Sequence, residues 1–490
     1  MKVSYFQTYQ EEERVRATYQ ELDGWLGYQV GNYDPRTTLV IDPIYVFSTY
    51  TGATTDNFGY TATFDDDGNA YGGGIVWGWG YPTSLGAVDT TFNGGNFDAV
   101  ISKFSADGTQ LLWSSFLGGN GIDQPHSLES DEQGNLYVMG STGSSNFPTT
   151  ANAYDTSFAG GPSATIEYYN FLNGADLFVS KFNALGTQLL GSTYLGGPGN
   201  DGVNGAMPYN YGDGYRGEIE VERNGGAVFI ASSTDSTGMP VTAGQTGHQG
   251  KQDGVLVVLS NDLSSIRAAT YVGGPGNEAL YSVSIANKAN ALGQHNTRVF
   301  LTGPIRDVAS ATHFAYSQDS VATNGTGMTD GLLVAMRLNG TTLTPLGWHI
   351  DRDSVGKYNQ HFFVETNAQG DTSSVITVMG QHLGALQSSD TSFWQQPNSA
   401  QYFAELKLDT VARTFVKRRT TVFGDGIGTE IDLSPTALLV DFCGNVYMSG
   451  WGGSPNTHGT TDGLTTTANA LQTTTDGRDF YFLVLDPTWK

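Results

Sequence analysis

Several residue groups in this chain have types and spacings that could do chemistry. His349, His361 and His382 are a possible zinc set, since three imidazoles make an open zinc site. They stand 12 and 21 residues apart, with no i, i+4 pair, so the spacing predicts histidines scattered over three segments. The run Asp65-Asp66-Asp67-Gly68-Asn69 resembles a calcium loop but lacks the distal Glu and falls at a hairpin turn. No metal or other cofactor is therefore expected, with calcium the one candidate. The G-G-x-G-x-[DE] runs at 118–123, 196–201 and 273–278 could cradle phosphate if a helix followed. A strand pattern follows instead, which predicts tight loops. No G-x-S-x-G elbow is present, and no pair of carboxylates stands out among 48 acidic residues, so no catalytic residue is assigned. Aromatic residues are more informative. The W-G-W-G-Y run carries Trp77, Trp79 and Tyr81, and Tyr168, Tyr169, Trp394 and Trp451 fall in comparable polar segments. Flat rings beside Asn, Asp and Gln suit sugars, which offer C–H faces and hydroxyl edges. Trp77, Trp79, Tyr81, Trp394 and Trp451 are the candidate ligand-binding residues.

The elements that must position these residues come from an internal repeat. DAVISKFSADGTQLLWSSFLGG starts at Asp98, DLFVSKFNALGTQLLGSTYLGG at Asp176 and DGVLVVLSNDLSSIRAATYVGG at Asp253, with weaker copies at Asp330 and Tyr402 and a last one at Asp479. Between them recurs a strand–turn–strand motif, FDDDGNAYGGG at Phe64 and SDEQGNLYVMG at Ser130, present six times. Each unit holds four candidate strands, and its D-x-x-G-N turn suits a hairpin. One four-stranded sheet cannot bury both faces, whereas sheets packed in a ring can. The expected fold is an all-β propeller over 45–490 with six four-stranded blades, seven being the alternative. Strand 45–50 would pair with strand 479–486 to close the ring. Residues 1–44 read as a β-rich N-terminal segment, the tail of an upstream domain. An Asp recurring at the start of each third strand is expected to accept backbone N–H bonds from the preceding loop. The long loops between second and third strands, 76–97, 143–175, 234–252, 304–329, 382–401 and 452–478, are expected to form the binding face.

Composition agrees with this frame and excludes other classes. Gly takes 65 of 490 positions, aromatics 12% and charged residues only 14%. Such a chain is neither a disordered acidic polymer nor a helical bundle. The net charge of −25 opposes nucleic-acid binding. No apolar run is long enough to span a membrane as a helix. The single Cys443 allows no disulfide within the chain. The N-terminus has no apolar stretch of the kind that directs secretion.

At Phe104–Gly119, Gly134–Gly140 and Asn146–Thr150 the sequence resembles the SBBP (beta-propeller repeat) proteins of Bacteroidota. Asp441–Gly453, DFCGNVYMSGWGG, is similar to the gliding-motility-associated branch. The resemblance implies an exported cell-surface protein, often a type IX secretion substrate, with adhesive or polymer-binding roles. It also implies further Ig-like, PKD and sorting domains. These are not in this sequence, so the expectation is one part of a larger multidomain protein.

The leading functional expectation is a non-enzymatic extracellular binding or scaffold module. It would take polysaccharide or a surface protein on its long loops. A propeller glycan hydrolase or lyase acting in the central funnel is the second reading, and a purely structural spacer is the third.

Overall fold

In the computed structural model the described residues are 49–208, 210, 212–222, 226–286, 297–306, 329–351, 359–366, 375–382, 388–390, 393–424, 426, 434–441, 444–451, 464, 466 and 480–489, together with the backbone of five strands between 6 and 43. Those five strands pair only with one another. Phe6–Gln10 lies between Glu13–Val15 and Val40–Pro43, and Ala17–Leu22 pairs with Trp25–Val30.

From residue 57 onward each repeat makes an antiparallel meander. The first repeat runs Asn57–Phe64, Ala70–Val76, Asp98–Phe104 and Leu111–Leu117. The second runs Asp123–Ser130, Leu136–Thr142, Asp176–Phe182 and Leu189–Leu195. The third runs Glu218–Val221, Val228–Thr234, Asp253–Leu259 and Ile266–Val272. The first strands of successive repeats stand beside one another, which is the propeller arrangement, with the later strands of each sheet further out. A bulge recurs in the outer pair, at Lys103/Phe104, Lys181/Phe182, Val258/Leu259, Ala335/Met336 and Glu405/Leu406. It adds twist at the same point of each sheet.

The expected count of six separate blades, or seven, is not what the described residues show. From residue 57 onward, besides the hairpin 164–171, three sheets have four strands, one has nine and one has three, so four sheets reach blade size. The fourth and fifth repeats run together because their outer strands, Thr342–Asp351 and Thr414–Phe423, touch in parallel at Trp348 and Thr414. Among the described residues the last repeat contributes Ser434–Val440, Val446–Trp451 and Phe480–Leu485. Its expected fourth strand, 45–50, lies outside the described residues except for Thr49 and Tyr50, which are in no strand.

Apolar cores lie between successive sheets. Ala99 and Ile101 of the first repeat pack with Leu128, Leu136, Val138 and Phe178 of the second. Leu177 and Val179 of the second pack with Ile219, Ile230, Val255 and Val257 of the third. The stripe continues with Leu256, Leu333 and Phe403. Each such side chain contributes about 1.5–3 kcal/mol on burial. On the last repeat the corresponding residues, Phe482 and Val484, are 73% and 56% exposed.

Candidate functional site

The recurring acidic residues serve the fold. Asp98 accepts from the Asn93 N–H at 2.6 Å, and Asp176 from the Ala159 and Gly160 N–H groups at 2.7 and 2.9 Å. Asp253 accepts from the Gln249 N–H at 3.0 Å. Asp479 lies outside the described residues. The acid closing each glycine-rich run ties its own loop: Asp123 accepts from Gly119 N–H at 2.7 Å, Ser144 Oγ at 2.8 Å and Thr142 Oγ1 at 2.5 Å. In the Asp65 run, Asp65 accepts from the Asp67 and Asn69 N–H groups and from the Tyr71 hydroxyl, and Lys103 Nζ sits on it at 2.9 Å. Lys181 and Asp131 repeat the arrangement at 3.3 Å.

The histidine set does not make a metal centre. His361 Nε2 lies 3.6 Å from Asp351 Oδ2, and His349 is within electrostatic reach of both. Burial pulls the His349 imidazole down to about 4. Lys417 Nζ occupies Asp351 at 2.7 Å. Among the described residues no three His, Cys, Asp or Glu side chains are close enough to hold a metal ion.

The long loops behave differently from expectation. In four repeats a segment of the loop turns back and runs beside the outermost strand. Ser84 N–H bonds Ser114 O, Thr150 bonds Ser192, Thr242 bonds Ala269 and Ser389 bonds Thr420. Only part of each loop is therefore free to project. Tyr81 belongs to the covering part: it is 8% exposed, packs on Phe116 and bonds Ser102 Oγ at 2.9 Å. Its Tyr-Pro pair recurs as Phe147-Pro148 and Met239-Pro240, whose apolar residues are likewise buried. Tyr81 is thus a repeat residue of the core and not a ligand contact. Trp394 is half-buried against Phe423, and its carbonyl accepts from Thr421 Oγ1. Trp451 ends a strand opposite Ser434, and its side chain lies outside the described residues.

Trp77 and Trp79 divide between anchoring and display. Trp77 is half-buried, with Phe58, Phe97 and Tyr169 at ring distances of 5.3, 5.8 and 6.5 Å. Tyr169 also meets Phe97 edge-on at 4.8 Å. These contacts lock the first loop to the hairpin Ala164–Ile166/Tyr169–Phe171 of the second. Two residues beyond Trp77, Trp79 is 67% exposed, and beside Tyr169, Tyr168 is 60% exposed. The exposed amides Asn170 and Asn173 follow on the same hairpin.

A second feature was missed in the sequence. The connection between the second and third repeats spans 196–217, where the first connection spans only 118–122. Its extra residues reach across to other repeats. Asn204 Nδ2 donates to the Tyr281 hydroxyl at 2.7 Å, Asn210 Nδ2 to Gln381 Oε1 at 3.1 Å and Arg216 Nη2 to Pro435 O at 3.0 Å. The Arg216 guanidinium lies 4.8 Å from the Phe362 ring centroid, and its Nε bonds Asp213 at 2.6 Å. Glu167, held at φ 53 in the hairpin turn, accepts from the Gly212 N–H at 2.6 Å. Burial pushes its carboxyl up to about 7. The connection therefore forms a plug that ties the second, fourth, fifth and last repeats together. The available signal was the delay between the Gly-Gly-x-Gly run and the next strand.

First strands bring further acids together. Glu365 is within electrostatic reach of Glu218 and Glu129, and burial with their charges holds its carboxyl well above the usual range. Glu218 accepts from Ser282 Oγ and the Val283 N–H, and burial pushes it up to about 7.

Residues 112–148 match the SBBP family, described as a beta-propeller repeat. No curated protein matches the chain. Among solved structures, a protein of unknown function from Dyadobacter fermentans is similar at 13% identity and a TM-score of 0.37, over 82% of this chain and 93% of that one. The NanB sialidase of Streptococcus pneumoniae is similar at 8% identity and 0.36, over 83% and 67%. The alpha-L-arabinanase of Penicillium chrysogenum is similar at 11% and 0.33, over 83% and 92%.

Proposed function

We propose that this chain is a non-enzymatic binding and scaffold module of a larger surface protein, working outside the cell and taking a polysaccharide on the loops of its first two repeats. The observation that carries this reading is the locked loop pair. Trp77, Phe97 and Tyr169 hold two loops rigidly, and those loops turn Trp79 and Tyr168 to solvent. Large exposed rings on a fixed support lose little entropy when a ligand stacks on them. The amides of Asn170 and Asn173 would meet hydroxyl edges. An exported setting fits the repeat match and the strongly acidic chain. A glycan-array screen of the wild type against Trp79→Ala and Tyr168→Ala tests the reading. Each substitution is expected to weaken binding about tenfold. A chain that binds no glycan on the array defeats the proposal.

One observation favours a hydrolytic alternative, namely the acids Glu129, Glu218 and Glu365 on the first strands of the second, third and fifth repeats, with Glu365 within electrostatic reach of the other two. Against it stands the plug, whose Arg216 spans from the third repeat to Pro435 and would obstruct a funnel. Release of reducing ends from a glycan by the wild type, absent in Glu218→Gln, would reverse the ranking.

A further inference from the structure

The ligand of the loop pair can be narrowed by charge. Residues 50–195 hold 14 Asp and Glu but only two Lys or Arg, Lys103 and Lys181. Both are 6% exposed; Lys103 pairs with Asp65 at 2.9 Å and Lys181 with Asp131 at 3.3 Å. The first two repeats therefore offer solvent no basic side chain. Arg216, which approaches the hairpin from the plug, has a 13% exposed side chain held by Asp213 and the Pro435 carbonyl. A sulfate or carboxylate on a glycan would find no counter-charge here. It would face an acidic surface across less than a Debye length of about 10 Å.

Several carboxylates of the two loops are engaged within the chain. Asp89 accepts from the Thr91 N–H and hydroxyl and from Asn93 Nδ2. Asp155 accepts from the Ser157 N–H at 2.8 Å, and Glu167 from Gly212. Asp56, whose carbonyl accepts from the Trp77 N–H at 3.2 Å, is exposed. The exposed amide of Asn170 lies two residues from Tyr168 on the hairpin.

We infer that the loop-pair site takes a polysaccharide without acidic groups, stacked on Trp79 and Tyr168, and rejects sulfated and uronate-bearing chains. This rests on the glycan-binding reading above. The test uses neutral polysaccharides that bind on the array, each compared with its own sulfated and carboxymethylated derivative, by affinity electrophoresis at about 20 mM and about 500 mM NaCl. The neutral polymer should retard the protein equally at both salt concentrations. The derivative should bind about tenfold or more weakly at low salt, with the gap narrowing at high salt. Asn170→Lys, which places a cation two residues from Tyr168, should raise binding of the derivative relative to the neutral polymer. Equal retardation by both polymers at low salt, or stronger retardation by the derivative, overturns the charge inference while glycan binding stands. No retardation by any polymer removes both.

Discussion

At Gly118 two buried carboxyl groups meet: a Cβ there would lie 2.8 Å from Asp123 Oδ2 and 3.2 Å from Asp98 Oδ1. Only glycine fits that spot. Burial, with the neighbouring carboxylate, pushes Asp98 up to about 8, and burial pushes Asp123 up to about 6. Gly196 and Gly273 stand in the same way beside Asp176 and Asp253. Asp176 is raised by burial to about 6 and Glu278 to about 8. These groups hold protons more tightly folded than unfolded. Their contribution to stability is complete below the ordinary carboxylate range near 4 and is lost as pH rises through about 6 to about 8. Melting temperature is therefore expected to fall between pH 5 and pH 9, and a rise over that interval would contradict the assignment. Two neighbouring aromatics separate packing from display. Tyr81→Ala should cost about 3–5 kcal/mol in urea unfolding and spare glycan binding. Trp79→Ala should change stability by less than about 0.5 kcal/mol and weaken binding. The difference was legible in part. Tyr81 aligns with Phe147 and Met239, and a residue that recurs at a fixed repeat position packs the fold. Trp79 has no such counterpart.

The plug shows what one long connection does among short ones. Arg216 is its keystone: its Nε holds Asp213, which is fully buried. Arg216→Ala leaves that carboxylate without its cation, which should cost about 3–5 kcal/mol. The double variant Asp213→Asn/Arg216→Met should cost less than the single one, since no buried charge is stranded. Hydrogen exchange across 204–216 should quicken in Arg216→Ala, and unchanged protection would show that the plug is held by its other contacts. Strand positions, turns and the third-strand Asp residues were readable because each follows from local rules repeated several times. The plug was not, because its partners Tyr281, Gln381 and Pro435 are far away in sequence. The run that opens it, Gly196–Asp201, looks like those at 118–123 and 273–278.

For the whole molecule, the repeat predicted the sheets and the stripe between them but overcounted separate blades. Local pattern cannot reveal that two outer strands touch, as they do at Trp348 and Thr414. The stripe also gives an internal control. Ile101 is fully buried between the first and second repeats, whereas Phe482, its counterpart on the last repeat, is 73% exposed. Ile101→Ala should cost about 2–5 kcal/mol and Phe482→Ala less than about 0.5 kcal/mol in equilibrium unfolding. A large cost at Phe482 would mean that another sheet covers it in solution.

The loop segments that lie beside Ser114, Ser192, Ala269 and Thr420 carry one more implication. An uncovered outer strand offers a row of amides to any neighbouring molecule, and extension of one sheet by another is a route to fibrils. In these four repeats the outer strand is already occupied by its own chain, so none of the four offers its amides to a neighbouring molecule for strand addition.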